Sequence, residues 1–357
     1  MAAYTTVDDP EVYMVPRIWD GTGSSQTISC GFQPDITWVK ARNQAYSNRV
    51  ADSVRGYTST LITNSTAIEN TSASTVMSGT TSDGFTVVSD SGSNESGDNY
   101  VGWSWKAGTT TGIAGSPDIT PSSYSFNQTS GFSIIAYTGN GTAGDTIPHG
   151  LGVAPTFIMV KRLDAVGSWV CYHSKIDSAS PEDYYILLES TAARVDSAGG
   201  WNDTAPSSTL ITLGSDTNID TATYIAYCFA DVQGYSLAGS YVGNLKDGAD
   251  GPFSYTGFRP AFIMIKDIDG TPNWTIRDNN RDPFNTTYNY IYPNLNQQGT
   301  DIGPPATSGS YELDFLSNGF KIRNTDDKLN TSGNEYIYMA FGEAPLVNSN
   351  GVPTNAR

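Results

Sequence analysis

The sequence predicts an all-β protein made of three tandem antiparallel β-sandwich units with a jelly-roll-like arrangement. An apolar strand led by proline and ended by lysine occurs three times, at residues 34–40, 155–161 and 260–266. An aromatic run follows each copy after a similar interval, at residues 100–105, 224–229 and 336–341. Charged residues make up only 15% of the chain and Ser, Thr, Asn, Gly and Tyr are abundant, which is typical of short strands joined by tight turns. Helix is expected to be scarce because no stretch keeps a 3.6-residue apolar spacing.

The repeats divide the 357 residues into three predicted units. Residues 1–112 form the first unit with an N-terminal arm, residues 113–235 form the second, and residues 236–357 form the third with a C-terminal tail. Each unit is long enough to bury a core of its own. The arm over residues 1–17 and the tail over residues 344–353 lack periodicity, so both are expected to extend and pack against a neighbour.

Each unit opens with an aromatic residue followed by Gly or Asn, at residues 19–23, 137–141 and 241–244. These residue types accept the positive φ of a tight turn. The proline-led strand comes next, and proline suits the first position of a strand because it has no N–H to donate. Residues 157–160 and 262–265 are apolar on both faces, which predicts a central strand covered on both sides. The lysine after each copy is expected to mark the return of the chain to water.

In the second and third units the central strand leads into a hairpin that carries Trp169 or Trp274, while the first unit lacks a tryptophan here. Short candidate strands follow at residues 184–188 and 288–292. They lie in long polar spans, which are the expected recognition loops, at residues 44–80, 173–207 and 278–310.

Two hairpin turns are predicted before the last strand of the outer units. Asp83-Gly84 and Asn318-Gly319 both favour positive φ at their central residues. The second unit lacks such a pair, and a strand over residues 208–213 is predicted there.

The charge balance excludes several partners. Acidic residues outnumber basic ones by 36 to 19, giving a formal net charge of −17 that repels phosphate backbones and anionic membranes. The N-terminus has no signal-peptide pattern, and no apolar run reaches the roughly 18 residues of a membrane span. We therefore expect neither nucleic-acid binding nor membrane insertion.

The three cysteines, Cys30, Cys171 and Cys228, cannot form a complete set of disulfides within one chain. Cys171 and Cys228 lie in apolar strands and are expected to be small buried hydrophobes. No zinc-binding spacing occurs, and the Asp-rich segments at 247–251, 267–270 and 326–327 lack EF-hand spacing, so they are interpreted as turns. We predict no metal and no cofactor.

No catalytic signature is present, so the chain is predicted not to be an enzyme. The two histidines are interpreted structurally, His149 as part of a turn and His173 as a surface polar residue. Glycoside hydrolysis needs only two suitably spaced carboxylates, which leaves a polysaccharide depolymerase as a lower-ranked alternative.

Two groups of residues are candidate ligand contacts. Trp201, Asn202 and Asp203 lie in a loop-like stretch, where an indole face and polar groups suit a sugar. The alternative for Trp201 is a side chain that covers the end of a sandwich or fills a subunit interface. Tyr288, Tyr290 and Tyr292 alternate, which suits a ligand surface or simply one face of a strand.

A family resemblance rests on four motifs. They are Gly-x-x-Pro-x-Phe-Ile-Met-Val/Ile-Lys from 152 and 257, the Trp hairpin, Ser-Asn-Gly-Phe-Lys from 317, and Tyr-Ile-Tyr-Met-Ala-Phe-Gly-Glu-Ala-Pro from 336. Over residues 131–346, and more weakly over 18–106, the chain resembles a domain of uncharacterised function in tail-fibre and other virion proteins of tailed phages of aquatic bacteria.

The resemblance implies a structural virion protein that is assembled in the host cytoplasm as a homo-oligomer, with a trimer favoured. The expected function is a tail-associated fibre or receptor-binding component that attaches to a host-surface glycan or protein and contacts other virion proteins. A capsid decoration or knob protein is the alternative. The chain has neither heptads nor a triple-β repeat, which favours this alternative or implies that another protein supplies the shaft of the fibre.

Overall fold

The computed structural model describes residues 4–72, 76–299 and 312–355. These residues form six sheets in which all the pairings are antiparallel, which confirms the predicted all-β sandwich fold class. No sheet combines strands from two of the predicted ranges 1–112, 113–235 and 236–357. The strands of these ranges are called here the first, middle and third units, although the boundaries themselves stay predictions.

The first unit has a five-stranded sheet of order β1-β8-β3-β4-β5 and a three-stranded sheet of order β2-β7-β6. Its strands are β1 (Met14–Asp20), β2 (Gln26–Ser29), β3 (Ile36–Ala41), β4 (Arg49–Asp52), β5 (Leu61–Ile62), β6 (Met77–Thr81), β7 (Gly84–Val87) and β8 (Asn99–Trp105).

The middle unit has a seven-stranded sheet of order β15-β14-β13-β12-β17-β10-β9 and a small sheet of β11 and β16. Its strands are β9 (Ser123–Asn127), β10 (Phe132–Thr138), β11 (Thr146–Pro148), β12 (Phe157–Arg162), β13 (Trp169–His173), β14 (Tyr184–Leu187), β15 (Val195–Asp196), β16 (Leu210–Thr212) and β17 (Thr223–Phe229).

The third unit has a four-stranded sheet of order β18-β24-β20-β21 and a three-stranded sheet of order β19-β23-β22. Its strands are β18 (Ser236–Val242), β19 (Phe253–Tyr255), β20 (Phe258–Asp267), β21 (Thr275–Asp278), β22 (Leu313–Leu316), β23 (Gly319–Ile322) and β24 (Glu335–Pro345). The short helices are α1 (Asp327–Asn330) and the 3₁₀ turns Pro10–Val12, Pro181–Asp183 and Gly248–Asp250.

Most of the predicted strands form. The proline-led strands β3, β12 and β20 are central, as predicted, because each pairs with the last strand of its unit on one side and with the hairpin strand on the other. Pro34 and Pro155 precede their strands, whereas Pro260 lies inside β20 at a register shift. The strand predicted over 288–292 is wrong, since only an isolated bridge from Ile291 to Ile276 forms there.

The two apolar faces of the large sheets are buried by different neighbours. One face of each large sheet packs in a separate core with the small sheet of the same unit. The opposite faces of all three large sheets meet in a single shared core. At its centre the rings of Trp105, Phe229 and Phe341, which lie on the matching strands β8, β17 and β24, form a near-equilateral triangle with centroid separations of 5.5–6.1 Å. The units are therefore arranged around a pseudo-threefold axis.

A hydrogen-bonded corner recurs in each unit. In the middle unit the buried Asn218 accepts a hydrogen bond at Oδ1 from the N–H of Asn140 in the predicted tight turn, at 2.8 Å. The hydroxyl of Tyr224 accepts from the Ile219 N–H at 3.1 Å, and its ring stacks on Tyr137. The same contacts are made by Asn94, Tyr100 and Trp19 and by Asn330, Tyr336 and Tyr241.

A ring of polar ties joins the units beside the axis. The Tyr227 hydroxyl donates to Asp52 Oδ2 at 2.7 Å, and Trp103 Nε1–H donates to Asp278 Oδ2 at 3.0 Å. His173 completes the ring. Its Nδ1 accepts from the Lys175 N–H, so Nε2 carries the proton and donates to a carbonyl oxygen, that of Tyr338, at 3.0 Å. The interpretation of His173 as a surface residue is wrong, since it is 1% exposed.

A second set of ties explains the missing tryptophan of the first unit. Trp169 Nε1–H donates to the Ile62 carbonyl in the first unit at 3.0 Å, and Trp274 Nε1–H donates to the Leu187 carbonyl in the middle unit at 3.1 Å. Asn48 holds the matching position. It directly precedes Arg49, which pairs with Val39 of β3, as Trp169 directly precedes Val170, which pairs with Val160 of β12. Asn48 Nδ2–H donates to the Leu295 carbonyl of the third unit at 3.0 Å.

The lysines that end the proline-led strands do not return to water. Lys40, Lys161 and Lys266 are fully buried, because strand alternation places them on the face that a neighbouring unit covers. Their ammonium groups donate to backbone carbonyls, such as Thr66 O for Lys161 and Thr191 O for Lys266. Burial lowers the pKa of each lysine to about 8.

The arm and the tail pack against their own chain over the residues described. Thr5 donates from Oγ1 to the Gln233 carbonyl at 2.7 Å, and Val7 is buried in the shared core. In the tail, the Ser349 N–H donates to Asp8 Oδ1 at 2.7 Å. The two ends of the chain are thus tied to each other near the third unit.

Candidate functional site

The middle unit departs from its neighbours in its small sheet. The outer units have a third strand, β6 or β22, just before β7 or β23, whereas the middle unit has the loop 197–209 before β16. Trp201 lies in this loop, is 1% exposed and packs edge-on against Tyr172 with centroids 5.7 Å apart. Its indole thus contributes to the sandwich core in a unit that has only two strands to cover the large sheet.

A surface pocket with a volume of about 230 Å³ lies on the same unit. Side chains of β12, β13 and β14 form its apolar base, and the hairpin loop after β12 and residues 216–219 form its rim. The lining includes Val160, Val170, Leu187, Tyr185 and Tyr224. At the rim, Val166 is 70% exposed and Ile219 is 42% exposed, so apolar side chains border the mouth of the pocket.

The polar groups of the pocket differ in how many hydrogen bonds and ion pairs they already make within the protein. Arg162 makes a two-point ion pair with Asp164, with Nε–Oδ1 at 2.9 Å and Nη2–Oδ2 at 3.2 Å. The hydrogen bond from Arg162 lowers the pKa of Asp164, so this pair stays charged and mutually neutralised. In contrast, none of the described residues donates a hydrogen bond to the carboxylate of Asp216.

The repeated corner holds the polar rim in place. The Tyr224 hydroxyl donates to the Asp216 carbonyl at 3.5 Å while it accepts from Ile219, so the 216–219 segment is fixed over the sheet. Burial, followed by the negative charge of Asp216, raises the pKa of Tyr185. The Tyr185 hydroxyl therefore stays protonated at neutral pH and can donate to a ligand.

The six predicted site residues do not come together. Asn202 and Asp203 follow Trp201 with positive φ of 51° and 48°, a conformation that these residue types tolerate. The three tyrosines lie instead in the third unit beside its junction with the first, where the Tyr292 carbonyl accepts from Asn48. Their role in ligand binding stays a prediction, but a stacking role for Trp201 has no exposed indole face to use.

Tyr290 and Tyr292 are mostly buried and contact each other. They are 4% and 9% exposed, with hydroxyl oxygens 3.1 Å apart and rings that meet edge to face. The guanidinium of Arg277 lies 5.3 Å from the Tyr290 ring centroid. Tyr288 is half-buried, and its N–H donates to Asp282 Oδ2 at 2.9 Å. These contacts hold a junction segment in place.

Sequence reasoning missed Arg162, Tyr185 and Asp216. A comparison of the repeats contains a signal for Arg162, because the residue after the buried lysine is Ala41 in the first unit and Asp267 in the third. No local signal marks Asp216, whose position depends on the fold of the preceding loop.

A larger groove, of about 610 Å³, runs between the first and middle units. Its best-placed polar group, the Asp35 carboxylate, is already occupied by structural bonds. It accepts from Ser53 Oγ at 2.8 Å, Ser125 Oγ at 2.9 Å and the Ala107 N–H at 2.8 Å. This groove is a seam between units, and the middle-unit pocket is the stronger candidate for a ligand.

Neither histidine lies in an open site. His149 is fully buried in a turn, as predicted, where its Nδ1 accepts from the Leu151 N–H at 3.2 Å. Burial lowers the pKa of both His149 and His173 to about 4. Within the described ranges no cluster of three or more His, Cys, Asp or Glu side chains is suited to a metal ion. Cys30, Cys171 and Cys228 are buried free thiols.

The Asp-rich segments are occupied by backbone bonds. Asp267 Oδ1 accepts from the N–H groups of Asp269 and Gly270 at 2.9 and 2.8 Å, and Asp326 Oδ1 caps α1 through the Lys328 N–H. Asp247–Gly251 encloses a 3₁₀ turn. This is the turn role that the sequence predicted.

The chain belongs to a family described as a domain of unknown function (DUF7483), which it matches over residues 9–345. The matched range includes the strands of all three units. No curated protein and no solved structure matches the chain. Among the residues described, no helix has the length and apolar character needed to cross a bilayer.

Proposed function

We propose that this protein is a non-enzymatic structural component of a phage virion, associated with the tail as a fibre or receptor-binding part that attaches to the host surface. The observation that carries the proposal is the closed ring of buried ties around a shared core. Three sandwiches joined in this way form one stiff body, and a stiff body presents surface loops and pockets without losing binding free energy to internal motion. The resemblance over residues 131–346 supplies the virion context.

We propose that this protein binds its partners through several weak contacts that are repeated across copies. Attachment would use a host-surface glycan or protein, with other virion proteins holding the body in place. The oligomer remains a proposal, with a homotrimer favoured. The pseudo-threefold body also fits a single copy on the axis of a trimeric partner, because matching features recur around that axis. Either arrangement raises avidity through multiple weak sites.

Immunogold electron microscopy of intact particles, with antibody against residues 131–346, tests the location. Gold on the tail or its fibres is the expected result, and purified protein should then reduce adsorption of particles to host cells. Gold distributed over the capsid would overturn the receptor-binding function. Unlabelled particles would overturn the virion location altogether.

A capsid decoration or knob protein is the second candidate, and it is favoured by the lack of a heptad or triple-β shaft pattern in this sequence. A surface-polysaccharide depolymerase ranks third. Shortening of a polysaccharide by purified protein, abolished by substitution of an acidic pair, would replace the non-enzymatic proposal.

A further inference from the structure

We infer that the middle-unit pocket binds one neutral pyranose ring of a saccharide. The inference rests on the proposed attachment function for its biological source, while the binding itself depends only on the pocket. The volume of about 230 Å³ accepts one such ring but not a folded peptide segment. Tight binding sites for larger molecules have volumes of roughly 300–1,000 Å³.

The chemistry of the walls matches the two sides of a pyranose. A sugar ring has an apolar C–H face and a rim of hydroxyls. Tyr185, Val166 and Ile219 offer apolar surface at the mouth of the pocket, where the exposed side chains would lose water on binding. Asp216, whose carboxylate is unused within the described structure, accepts hydrogen bonds from adjacent hydroxyls, and charged acceptors make the stronger bonds.

The charge of the site selects a neutral sugar. Arg162 is the cation that lines the pocket, and its guanidinium is already paired at two points with Asp164. Asp216 adds a negative charge at the rim, and the whole chain carries a formal charge of −17. An acidic sugar would meet repulsion without a free positive partner.

A comparison of the three units shows that a pocket residue differs from its counterparts in the other two units. Ile219 follows the corner asparagine Asn218, and the matching residues after Asn94 and Asn330 are Glu95 and Thr331. Asp216 and Asp327 both receive a bond from the corner tyrosine at their backbone carbonyls. Asp327 lies on α1 of the third unit, away from the pocket, and is therefore a matched control for Asp216.

Saturation-transfer NMR on the full chain tests the inference with methyl pyranosides of glucose, galactose, mannose and N-acetylglucosamine, and with methyl glucuronide as the anionic probe. A ligand of about 13 non-hydrogen atoms at about −0.3 kcal/mol per atom gives a dissociation constant on the order of 1 mM. At least one neutral pyranoside is expected to bind at that level. Asp216→Asn and Ile219→Arg should weaken binding by about tenfold or more, while Asp327→Asn leaves it unchanged.

Three results would overturn the inference. They are the absence of binding by every neutral probe, tighter binding of methyl glucuronide than of the neutral sugars, and binding that Asp216→Asn and Ile219→Arg leave intact. Both positions are at the surface, so circular dichroism is expected to show folded variants. The immunogold result is independent of these variants, which separates a failure of the pocket inference from a failure of the proposed function.

Discussion

The three junctions between the units are equivalent in position, but the residue that the middle unit contributes to its junction differs in chemistry from those of the outer units. In the outer units the last residue of the hairpin strand is an aspartate, and Arg55 or Arg281, three residues later, pairs with it at 2.6 Å. In the middle unit the same positions hold His173 and Ile176. The difference follows from the group that the neighbouring unit presents. Tyr227 and Trp103 are donors and meet carboxylates, whereas the Tyr338 carbonyl is an acceptor and meets an imidazole N–H.

This comparison shows that hydrogen-bond complementarity, and not charge, is what the junction conserves among the repeats. At this position the buried carboxylates of Asp52 and Asp278 are each compensated by an arginine, while a buried neutral histidine carries no charge to compensate. Ile176 can therefore replace the arginine in the middle unit and pack in the shared core.

The largest expected effect comes from Asp278→Ala. Arg281 and Asp278 both have side chains with no exposure, so the variant leaves a buried guanidinium without its carboxylate. We expect a loss of about 3–5 kcal/mol in the free energy of unfolding, measured by urea denaturation. Asp52→Ala should cost less, because Glu69 still holds Arg55 at 2.7 Å. Equal losses at the two sites would show that this second carboxylate contributes nothing.

His173 predicts a pH dependence of stability that the matching Asp52 and Asp278 junctions of the outer units do not share. The pKa of His173 is lowered to about 4 by burial, so the folded state holds the neutral form. Above the unfolded pKa of about 6.5, neutral His173 does not reduce the free energy of unfolding. As the pH falls from 6.5 toward 4, the unfolded state binds a proton that the folded state does not, and the free energy of unfolding falls by at most about 3 kcal/mol. His149 adds a similar loss, because its pKa is also about 4.

The variant His173→Gln isolates this contribution. Glutamine can donate to the Tyr338 carbonyl and accept from the Lys175 N–H but does not titrate. Its unfolding free energy should fall by about half as much as that of the wild type between pH 6.5 and 4, once the carboxylates common to both are subtracted. A pH profile equal to that of the wild type would mean that His173 binds its proton at the same pH in the folded and unfolded states, so that burial does not lower its pKa.

Asn48→Ala tests whether Asn48 stabilises its junction between units, as the indole N–H groups of Trp169 and Trp274 do at the other two junctions. The change removes the donor to the Tyr292 and Leu295 carbonyls and the acceptor for Trp38 Nε1–H. Unpaired buried groups of this kind cost about 1–3 kcal/mol. The exposed Asn350→Ala is the control and should stay within about 0.5 kcal/mol of wild type in the same thermal or urea melts.

The smallest perturbation is chemical labelling of the native protein with an amine-acetylating reagent. Lys40, Lys161 and Lys266 should stay unmodified because their ammonium groups are buried among carbonyls, whereas the exposed Lys246 reacts. Peptide mass spectrometry gives the modified fraction at each site. Early modification of the three strand lysines would contradict a closed junction between the units.

Much of the fold was predictable because its signals are local. Strand alternation and the Gly and Asn of the tight turns depend on residues close in sequence. The hairpins predicted at Asp83-Gly84 and Asn318-Gly319 form, but Gly84 and Gly319 already pair in their strands. The turn centres are therefore Ser82-Asp83 and Ser317-Asn318, and the predicted positive φ is wrong for Asp83, Gly84 and Asn318. The repeat itself, with the proline-led strand and the aromatic strand, predicted which strands are central.

The polar span predicted over residues 173–207 contributes only Tyr185 and Leu187 to the candidate pocket. The other lining residues, including Arg162 and Asp216, lie outside that span and were missed.

By itself the sequence determined the all-β class, the repeated strands and the apolar character of both faces of the central strands, because each follows from the local order of side chains. Only the tertiary structure decided what covers the second face. The three large sheets bury one another, which places Lys40, Lys161, Lys266 and His173 inside the molecule and sets their hydrogen-bond partners. It also decided that Trp201 belongs to the core and that Asp216 stands over a pocket, because both outcomes depend on residues far apart in the chain.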